Sequence, residues 1–417
     1  MLFRSSLSDS RESLIIDIGG TTSDVAIIHD ARPVTSDGIR IGAWRTQVKG
    51  ARIDTIGLGG DTRVLVGKTG KLELATRRAL PLCVGAQRWP QIKEYLENYL
   101  MGTQTKYNTY YEMLFLANEP SDNSHYLAKE QELLELLADG PVNLLDTSLS
   151  IIGVNPERLE SEGVVMRCGF TPTDAMHIKG DFDQFDAEAS HLGAKCLLKS
   201  LGYDLDDMTE DDVQRIASAV YDLACRRLYG QVLRVLLQDR YSAMHEAPLD
   251  EQMETLIDDA WRRYRDNEPP RPFDVNFETS MTLIGIGAPT HVFLPKVAGA
   301  LHAPCVIPGH AGVANAIGAL CARVVVEEEA RVVAHRGAGG IVDGYIVHSR
   351  GLNHMSKELD DALAVASEYV QAAARLEAQR RGAEGEVVCT VSTECYAPVT
   401  MDKASAVWTV TATAQVS

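Results

Sequence analysis

LIIDIGGTTSDVAII, residues 14–28, is the stretch that decides the fold. Two apolar runs rich in isoleucine flank a polar centre, and this pattern predicts two strands joined by a tight turn. Gly19 and Gly20 lie at that turn, where a residue without a side chain admits backbone conformations that other residues resist. The chain is therefore expected to form a β-hairpin here, as part of an α/β domain.

The polar centre of the stretch has the composition of a phosphate-binding loop. Thr21 and Thr22 place hydroxyl groups beside backbone amides, and both groups bind phosphate oxygens. Asp17 or Asp24 could hold a divalent metal ion directly or through water. A plain hairpin turn explains the same residues equally well, so the motif by itself leaves both interpretations open.

Composition limits the kinds of partner. The 417 residues carry a formal net charge of -18, which repels nucleic acid and anionic membrane surfaces and favours small molecules or other proteins. No apolar run approaches the roughly 20 residues of a membrane span, and the first residues lack the apolar core of a secretory signal. A cytoplasmic protein is expected, whose eight cysteines are reduced thiols rather than a disulfide framework or a zinc site.

Periodicity divides the first two thirds of the chain. Residues 14–76 alternate β-rich runs with glycine turns, the pattern of hairpins and a meandering sheet. Two segments within residues 90–140 have helical periodicity, and a polar loop is expected between them. Helix formers dominate residues 187–265, and the stacked prolines of residues 269–273 end this helical layer.

The remaining third begins with a strand, a glycine turn and a helix, predicted for residues 281–301. A small-residue helix is expected at residues 310–324. Asn315 is interpreted as a helix-packing residue, and a functional role for His310 stays open. Beyond it the sequence alternates strands with one long helix, residues 356–381. This tail is interpreted as a small α+β unit.

Two further glycine loops follow predicted strands. TIGLGGDT, residues 55–62, again sets an acid and a hydroxyl behind glycines, and LIGIGAP, residues 283–289, leads into a helix whose amides could contact an anion. The candidate ligand-binding residues of these loops are Gly59, Gly60, Asp61, Gly285, Gly287 and Ala288. Three such loops favour a phosphate-bearing ligand over a chance glycine turn.

These segments, in this order, resemble the motifs of the hydantoinase A / 5-oxoprolinase family. The matching segments are DIGGTTSDVA (17–26), TIGLGGDT (55–62), GFTPTDAMHIKG (169–180), LIGIGAPTHVFLP (283–295) and PGHAGVANAIGAL (308–320). The first looks like the second phosphate loop of the family and the fourth like its adenosine loop. TPTDAMH and HAGVANAIGA together are much more specific than any glycine pattern.

The resemblance implies an α/β fold of the actin-like (ribonuclease H-like) ATPase type. On this basis residues 1–13 are a lead, residues 14–323 an actin-like ATPase domain with a helical insertion at about 187–268, and residues 324–417 a small α+β C-terminal domain. Two departures stand out. Asp61 and Ala288 each replace a glycine of the family motifs, and the family's first phosphate loop has no copy here. The expectation is that another polypeptide supplies that half of the nucleotide cleft, or that it is lost along with ordinary ATPase activity.

TPTDAMH, residues 171–177, carries two candidate catalytic residues besides Asp17. Thr171 is expected to cap a helix that begins at Pro172, which places Asp174 and His177 on one face. In a functional role the pair contacts a metal or polarises a substrate carbonyl. In a structural role Asp174 completes the first helical turn and His177 is a satisfied core histidine.

By resemblance, the function is that of an ATP-dependent hydrolase component that phosphorylates a cyclic amide carbonyl and so opens the ring. ATP and Mg²⁺ are the implied cofactors, with Asp17 and Asp24 as metal ligands. The implied partners are a cyclic amide or ketone substrate, a hydantoinase B-like subunit or an N-terminal-half polypeptide, and further copies in an oligomer. A ketone carboxylase subunit and a non-catalytic nucleotide-binding or assembly subunit remain alternatives.

Overall fold

The protein is described from a computed structural model. The residues that the structure describes are 11–30, 32–36, 38, 40–41, 44–45, 50–102, 111–143, 155–241, 244, 249–314, 316, 324–337, 341–396 and 406–416. The chain divides into two compact units, residues 3–317 and residues 318–417. Each unit is a mixed α/β structure, and no helix among the described residues is both long and apolar enough to cross a membrane.

The elements are numbered in chain order. The strands are β1 (Ser13–Ile18), β2 (Ser23–His29), β3 (Arg32–Pro33), β4 (Thr35–Ser36), β5 (Arg40–Ile41), β6 (Trp44–Arg45), β7 (Gly50–Ala51), β8 (Ile53–Ile56), β9 (Thr62–Val66), β10 (Leu72–Arg78), β11 (Leu80–Pro81), β12 (Met113–Leu116), β13 (Val142–Asn143), β14 (Val165–Gly169), β15 (Thr282–Ile286), β16 (Cys305–Val306), β17 (Val325–Arg336), β18 (Val342–Ser349), β19 (Leu352–Ser356), β20 (Val387–Tyr396) and β21 (Val407–Val416). The α-helices are α1 (Leu82–Arg88), α2 (Gln91–Met101), α3 (Ala128–Ala138), α4 (Glu157–Ser161), α5 (Pro172–Lys179), α6 (Ala187–Ser200), α7 (Glu210–Arg240), α8 (Glu251–Asp266), α9 (Thr290–Ala300) and α10 (Leu359–Arg380).

The predicted hairpin forms the centre of the first unit. β1 and β2 pair antiparallel, and β15 pairs parallel to β1 on the other side. The full order is β16-β15-β1-β2-β3, with β8 also pairing antiparallel to β2. The carboxyl ends of β1 and β15 therefore meet at one edge of the sheet, where the first and third glycine loops begin.

Both faces of β1 are buried, which explains its continuous apolar run. Ile16 lies in a core with residues of α7 and α9, whereas Ile15 packs on the opposite face with Ile284 and Ile286 of β15. The 31-residue helix α7 starts at a capping box in which Thr209 and Asp212 exchange hydrogen bonds. These layers hold the hairpin turn in a fixed position.

A second sheet, in the order β11-β14-β12-β13, lies in the same unit. Helices α2 and α3 confirm the predicted helical segments, but β12 occurs where only a polar loop was expected between them. Its four residues, MLFL, pair with β13 and β14 and are largely buried. A strand this short carries too few residues to show an alternating pattern.

The second unit is an antiparallel sheet in the order β19-β18-β17-β21-β20, with α10 packed on one face. This is the strand and helix content predicted for the tail, although the helix begins at Leu359 rather than at residue 356. Its buried face is an alanine stripe at four-residue spacing, formed by Ala362, Ala366, Ala374 and Ala378 with Val370. Small side chains on that face allow the helix to lie close to the sheet.

Candidate functional site

The first two glycine loops pack directly against each other. The amide of Gly60 donates to the carbonyl oxygen of Gly19 at 3.1 Å, and the amide of Asp61 donates to that of Gly20 at 2.6 Å. A Cβ atom at Gly59 would lie 2.4 Å from the Gly20 oxygen and 2.5 Å from the Gly19 oxygen. Only glycine fits at position 59 without movement of the first loop.

The start of α5 holds the second loop. Thr173 donates to the carbonyl oxygen of Gly60 through its amide nitrogen at 3.0 Å and through Oγ1 at 2.9 Å. Thr171 is the N-cap of the helix, as predicted, and Pro172 is its first residue. The TPTDAMH motif therefore buttresses the glycine loops through its second threonine.

The carboxylate of Asp174 accepts hydrogen bonds at the N-termini of two helices, α5 and α1. It accepts hydrogen bonds from the amide and hydroxyl of Thr171, at 2.9 and 3.0 Å, and from Ser190 Oγ at 3.0 Å. The amides of Leu82 and Cys83, at the start of α1, donate to it at 3.1 and 2.8 Å. Burial raises the pKa of the Asp174 carboxyl, while these donors favour its charged form. The Asp174 carboxylate thus accepts five hydrogen bonds from the protein, the arrangement expected under its structural alternative.

His177 is also satisfied by the protein. The amide of Phe185 donates to His177 Nε2 at 3.1 Å, so Nδ1 carries the hydrogen, which the carbonyl oxygen of Thr173 accepts at 2.8 Å. The imidazole packs against the rings of Phe182 and Phe185, with centroids 5.3 and 5.7 Å away. Both ring nitrogens of His177 are thus engaged within the protein.

The third glycine loop joins β15 to α9. Gly287 has φ of +90°, and a Cβ there would lie 2.0 Å from the carbonyl oxygen of Ile18 and 3.1 Å from Asp17 Oδ1. Its amide donates to the carbonyl oxygen of Ala311 at 2.9 Å. At Gly285 a Cβ would meet the side chain of Thr290 at 2.1 Å, so this glycine allows α9 to pack against β15.

These segments surround one cavity of about 280 Å³. Its lining combines the glycine loops, the start of α1, helix α5 and the start of α9. The lining residues are Gly19, Gly20, Gly60, Asp61, Leu80, Pro81, Val84, Thr173, Met176, Phe182, Phe185, Ala288, Pro289 and His291. The structure therefore brings residues of all three predicted loops together, whereas Asp174 and His177 lie behind this wall.

Asp61 is the acidic group of the cavity lining. Burial raises the pKa of its carboxyl to about 6, opposed by the nearby Arg78 guanidinium and reinforced by the charge of Asp174. A Cβ at Gly20 would lie 3.0 Å from Asp61 Oδ2, so the carboxyl is next to the first glycine loop. A group with this pKa can exchange a proton near neutral pH.

Asp17 and Asp24, the predicted metal ligands, are cross-strand neighbours in the β1–β2 pair. Their side chains share one face of the sheet, and Thr55 Oγ1 donates to Asp24 Oδ1. Carboxylate oxygens suit Mg²⁺, which commonly takes only one or two protein carboxylates beside water and phosphate. Among the described residues no group of three or more acidic, histidine or cysteine side chains is arranged to hold a metal ion.

Several amides of the loops are already used within the protein. Those of Gly19, Gly59, Gly60 and Asp61 donate to other loop oxygens. The exposed tip at Gly20 and Thr21 is the part able to offer backbone and hydroxyl donors to a phosphate. The Arg78 guanidinium, whose Nη1 donates to Thr21 Oγ1 at 3.4 Å, adds positive charge at this tip.

Sequence reasoning missed several residues of the site. Arg78 lies at the end of a strand with no motif around it, and Phe182 and Phe185 follow the TPTDAMH helix. His291 stands in the first turn of α9.

Arg227 of α7 also supports the second loop. Its guanidinium donates to the carbonyl oxygens of Gly57, Leu74 and Ala75. Only the aromatic pair carried a usable signal, since two phenylalanines three residues apart follow the glycine that ends α5.

Comparison with known proteins agrees with this arrangement of motifs. The family model described as Hydantoinase/oxoprolinase matches residues 2–247, more than half of the chain. The chain belongs to the hydantoinase/oxoprolinase family. Family membership explains why the first two glycine loops and the TPTDAMH motif occur together in this chain.

Two solved structures illustrate what this family member is similar to. A nucleotide-free structure of acetone carboxylase has a TM-score of 0.53 and 10% identity, over 100% of this chain and 48% of that one. An ATP-dependent caprolactamase from Pseudomonas jessenii has a TM-score of 0.41 and 13% identity, over 97% of this chain and 46% of that one. The chain thus spans about half the length of each, and the first likeness shows the fold alone. No curated protein sequence gives a significant match.

Proposed function

We propose that this chain is an ATP-dependent hydrolase component of the hydantoinase/5-oxoprolinase type, which activates a cyclic amide carbonyl by phosphorylation for ring opening. The observation that carries the proposal is the shared cavity, because three glycine loops far apart in sequence line it together with Thr173 of the TPTDAMH helix. Family membership supports an ATP-dependent activity acting on a small molecule.

The central sheet supports an actin-like interpretation of the fold. An antiparallel meander of β1, β2 and β8 continues through β15 and β16, which run parallel to β1. In such a sheet, ligands bind beyond the carboxyl ends of the parallel strands. The glycine loops after β1 and β15 lie at that edge.

The nucleotide would be held by the exposed tip of the first loop. Gly20, Thr21 and Thr22 offer amides and hydroxyls, and Arg78 offers a positive charge. Bound Mg-ATP would supply the phosphoryl group that makes an otherwise unreactive amide carbon electrophilic. Asp17 and Asp24 are the proposed carboxylates for the metal ion.

We assign different roles to the three candidate catalytic residues. Asp17 lies beside the third loop, near Gly287, and is the residue of the three that we propose contacts a metal ion. Asp174 and His177 are proposed as positioning residues, since their polar atoms bind the protein itself. They fix α1, α5 and the aromatic wall around the cavity.

The test is substrate-stimulated hydrolysis of Mg-ATP by the full chain, alone and in the native complex recovered from its source and identified by mass spectrometry. 5-Oxoproline, hydantoin and caprolactam form one set of candidate substrates, and acetone with bicarbonate forms the other. Stimulation by a cyclic amide with release of the ring-opened acid supports the proposal. Stimulation only by the ketone would overturn it in favour of a carboxylase, and nucleotide binding without turnover in the complex would make the chain a non-catalytic subunit.

A further inference from the structure

The Asp61 carboxyl has no hydrogen-bond partner within the part of the chain that the structure describes. Its pKa is governed by burial and by the more distant charges of Arg78 and Asp174, without a side-chain or backbone hydrogen bond. Asp61 is only partly buried, so water can hydrate its carboxyl, but a ligand that fills the cavity displaces this water, and a carboxyl then left unpaired costs about 1–3 kcal/mol. A ligand bound in this cavity therefore has to supply a hydrogen-bond partner for Asp61.

The residues around this carboxyl indicate which kind of ligand the cavity fits. The other side chains of the wall are mostly apolar, from Leu80, Pro81, Val84, Met176, Phe182, Phe185 and Pro289. The cavity volume of about 280 Å³ lies just below the roughly 300–1,000 Å³ of pockets for drug-sized ligands. A compact, uncharged ring with one polar edge fits this combination.

We propose that Asp61 binds the cis-amide edge of a cyclic amide, where an N–H and a C=O lie side by side, through two hydrogen bonds. The inference rests on the proposed function and names the residue that would select its substrate. A protonated carboxyl donates to the amide oxygen and accepts from the amide N–H at the same time. An acyclic secondary amide is trans and turns these two groups in opposite directions, so it can make only one of the bonds.

The position of Asp61 connects this binding to the proposed reaction. Its Oδ2 lies next to Gly20, at the tip of the loop proposed to hold phosphate. An amide oxygen bound by Asp61 would therefore lie beside that tip. The ring itself would occupy the apolar part of the cavity, against Phe182 and Phe185.

Binding of this kind depends on pH, because only the protonated carboxyl makes both bonds. Two charged groups act on Asp61, since Arg78 of β10 favours its ionisation and Asp174 of α5 opposes it. His291 of α9 is a further titratable residue that lines the same cavity. Affinity is expected to be full only well below pH 6 and to fall as the pH rises through that value. Asparagine at this position keeps one donor and one acceptor at every pH.

The experiment measures binding of 2-pyrrolidone and hydantoin to the full chain without nucleotide, by ligand-observed NMR at pH 5.5 and pH 8. The variants are Asp61→Asn and Asp61→Ala, and trans N-methylacetamide is the matched control ligand. The wild-type protein should bind the cyclic amides about tenfold more weakly at pH 8 than at pH 5.5, the loss of one hydrogen bond. Asp61→Asn should bind equally at both values, and Asp61→Ala should lose binding at both.

Three outcomes would overturn the inference. These are equal binding by wild type and Asp61→Ala, equal binding of N-methylacetamide and 2-pyrrolidone, and displacement of both rings by adenosine, which would make the cavity a base pocket. Mg-ATP affinity of the same variants separates this result from the proposed function. If Mg-ATP binds and is hydrolysed while Asp61→Ala leaves ring binding unchanged, only the role of Asp61 fails.

Discussion

The carbonyl oxygen of Gly60 accepts two hydrogen bonds from Thr173, one from its amide at 3.0 Å and one from its hydroxyl at 2.9 Å. A glycine loop and the first turn of α5, more than a hundred residues apart in sequence, are thereby joined at one atom. The loop geometry consequently depends on the TPTDAMH motif even though that motif's histidine and aspartate do not line the cavity.

Thr173→Val tests this connection. The substitution preserves the side-chain shape but removes the hydroxyl donor, so the free energy of unfolding should fall by about 0.5–1.5 kcal/mol. Nucleotide affinity should fall with it, because the second loop supports the first. Urea unfolding and calorimetry measure the two effects, and Thr173→Ser, which retains the hydroxyl, should behave like wild type. Equal results for the valine and serine variants would contradict the role of the hydroxyl.

Gly59→Ala tests the close packing of the two loops. The added methyl group would meet the carbonyl oxygens of Gly19 and Gly20 at 2.5 and 2.4 Å, and both are backbone atoms that cannot turn away. We expect a loss of about 1–3 kcal/mol in stability, as for overpacked sites, and a large loss of nucleotide binding. Gly309→Ala is the matched control, since nothing lies within 4 Å of its added Cβ. Thermal unfolding of both variants checks the difference.

Asp174→Asn separates a structural from a catalytic role. The amide side chain turns an NH₂ group toward donors and leaves some of them unpaired in a fully buried site. The expected loss in the free energy of unfolding is about 1–3 kcal/mol, the cost of leaving a buried donor unpaired. Denaturant unfolding measures it. A variant of unchanged stability that has lost turnover would show instead that Asp174 acts on the substrate.

The sequence was sufficient to predict the elements that carry a local pattern. The β1–β2 hairpin, the cap at Thr171 and the strand–turn–helix around Gly287 each follow from apolar periodicity, glycine or capping residues within a few positions. Family resemblance then indicated which loops belong together. The strand β12 was not predicted, because four residues are too few to show a local pattern, and the spacing of Phe182 and Phe185 after α5 was a usable signal that was overlooked.

Roles of side chains were harder to predict than positions. Asp174 and His177 have the residue types of a catalytic pair, but tertiary contacts with Cys83, Ser190 and Phe185 satisfy them. Such contacts join residues that are distant in the chain or lie across a turn, and spacing alone cannot show them. The support that Arg227 gives to Gly57 is of the same kind.

Ionisation of the Asp61 carboxyl should lower the free energy of unfolding at neutral pH. Because the pKa of the folded carboxyl is raised to about 6 from 3.8, the native state loses stability relative to the unfolded state as pH rises from about 4 to 6. Asp61→Asn should therefore be more stable than wild type at pH 8, by about 1–2 kcal/mol after allowance for partial hydration of the carboxylate, and similar at pH 4. Urea unfolding at both values checks this. A stabilisation of equal size at pH 4 would rule out the ionisation as its cause.

We propose that the loops around Asp17 hold a magnesium nucleotide. The most direct test of this proposal is calorimetric titration of the complete assembly with a non-hydrolysable Mg-ATP analogue, for wild type and for Asp17→Asn. Glu97→Gln, which removes the charge of an exposed residue of α2, is the control variant. We expect the Asp17→Asn variant to bind at least tenfold more weakly, about 1.4 kcal/mol. The affinity of Glu97→Gln and the thermal stability of both variants should equal those of wild type. Equal nucleotide affinity in all three proteins would contradict the proposal.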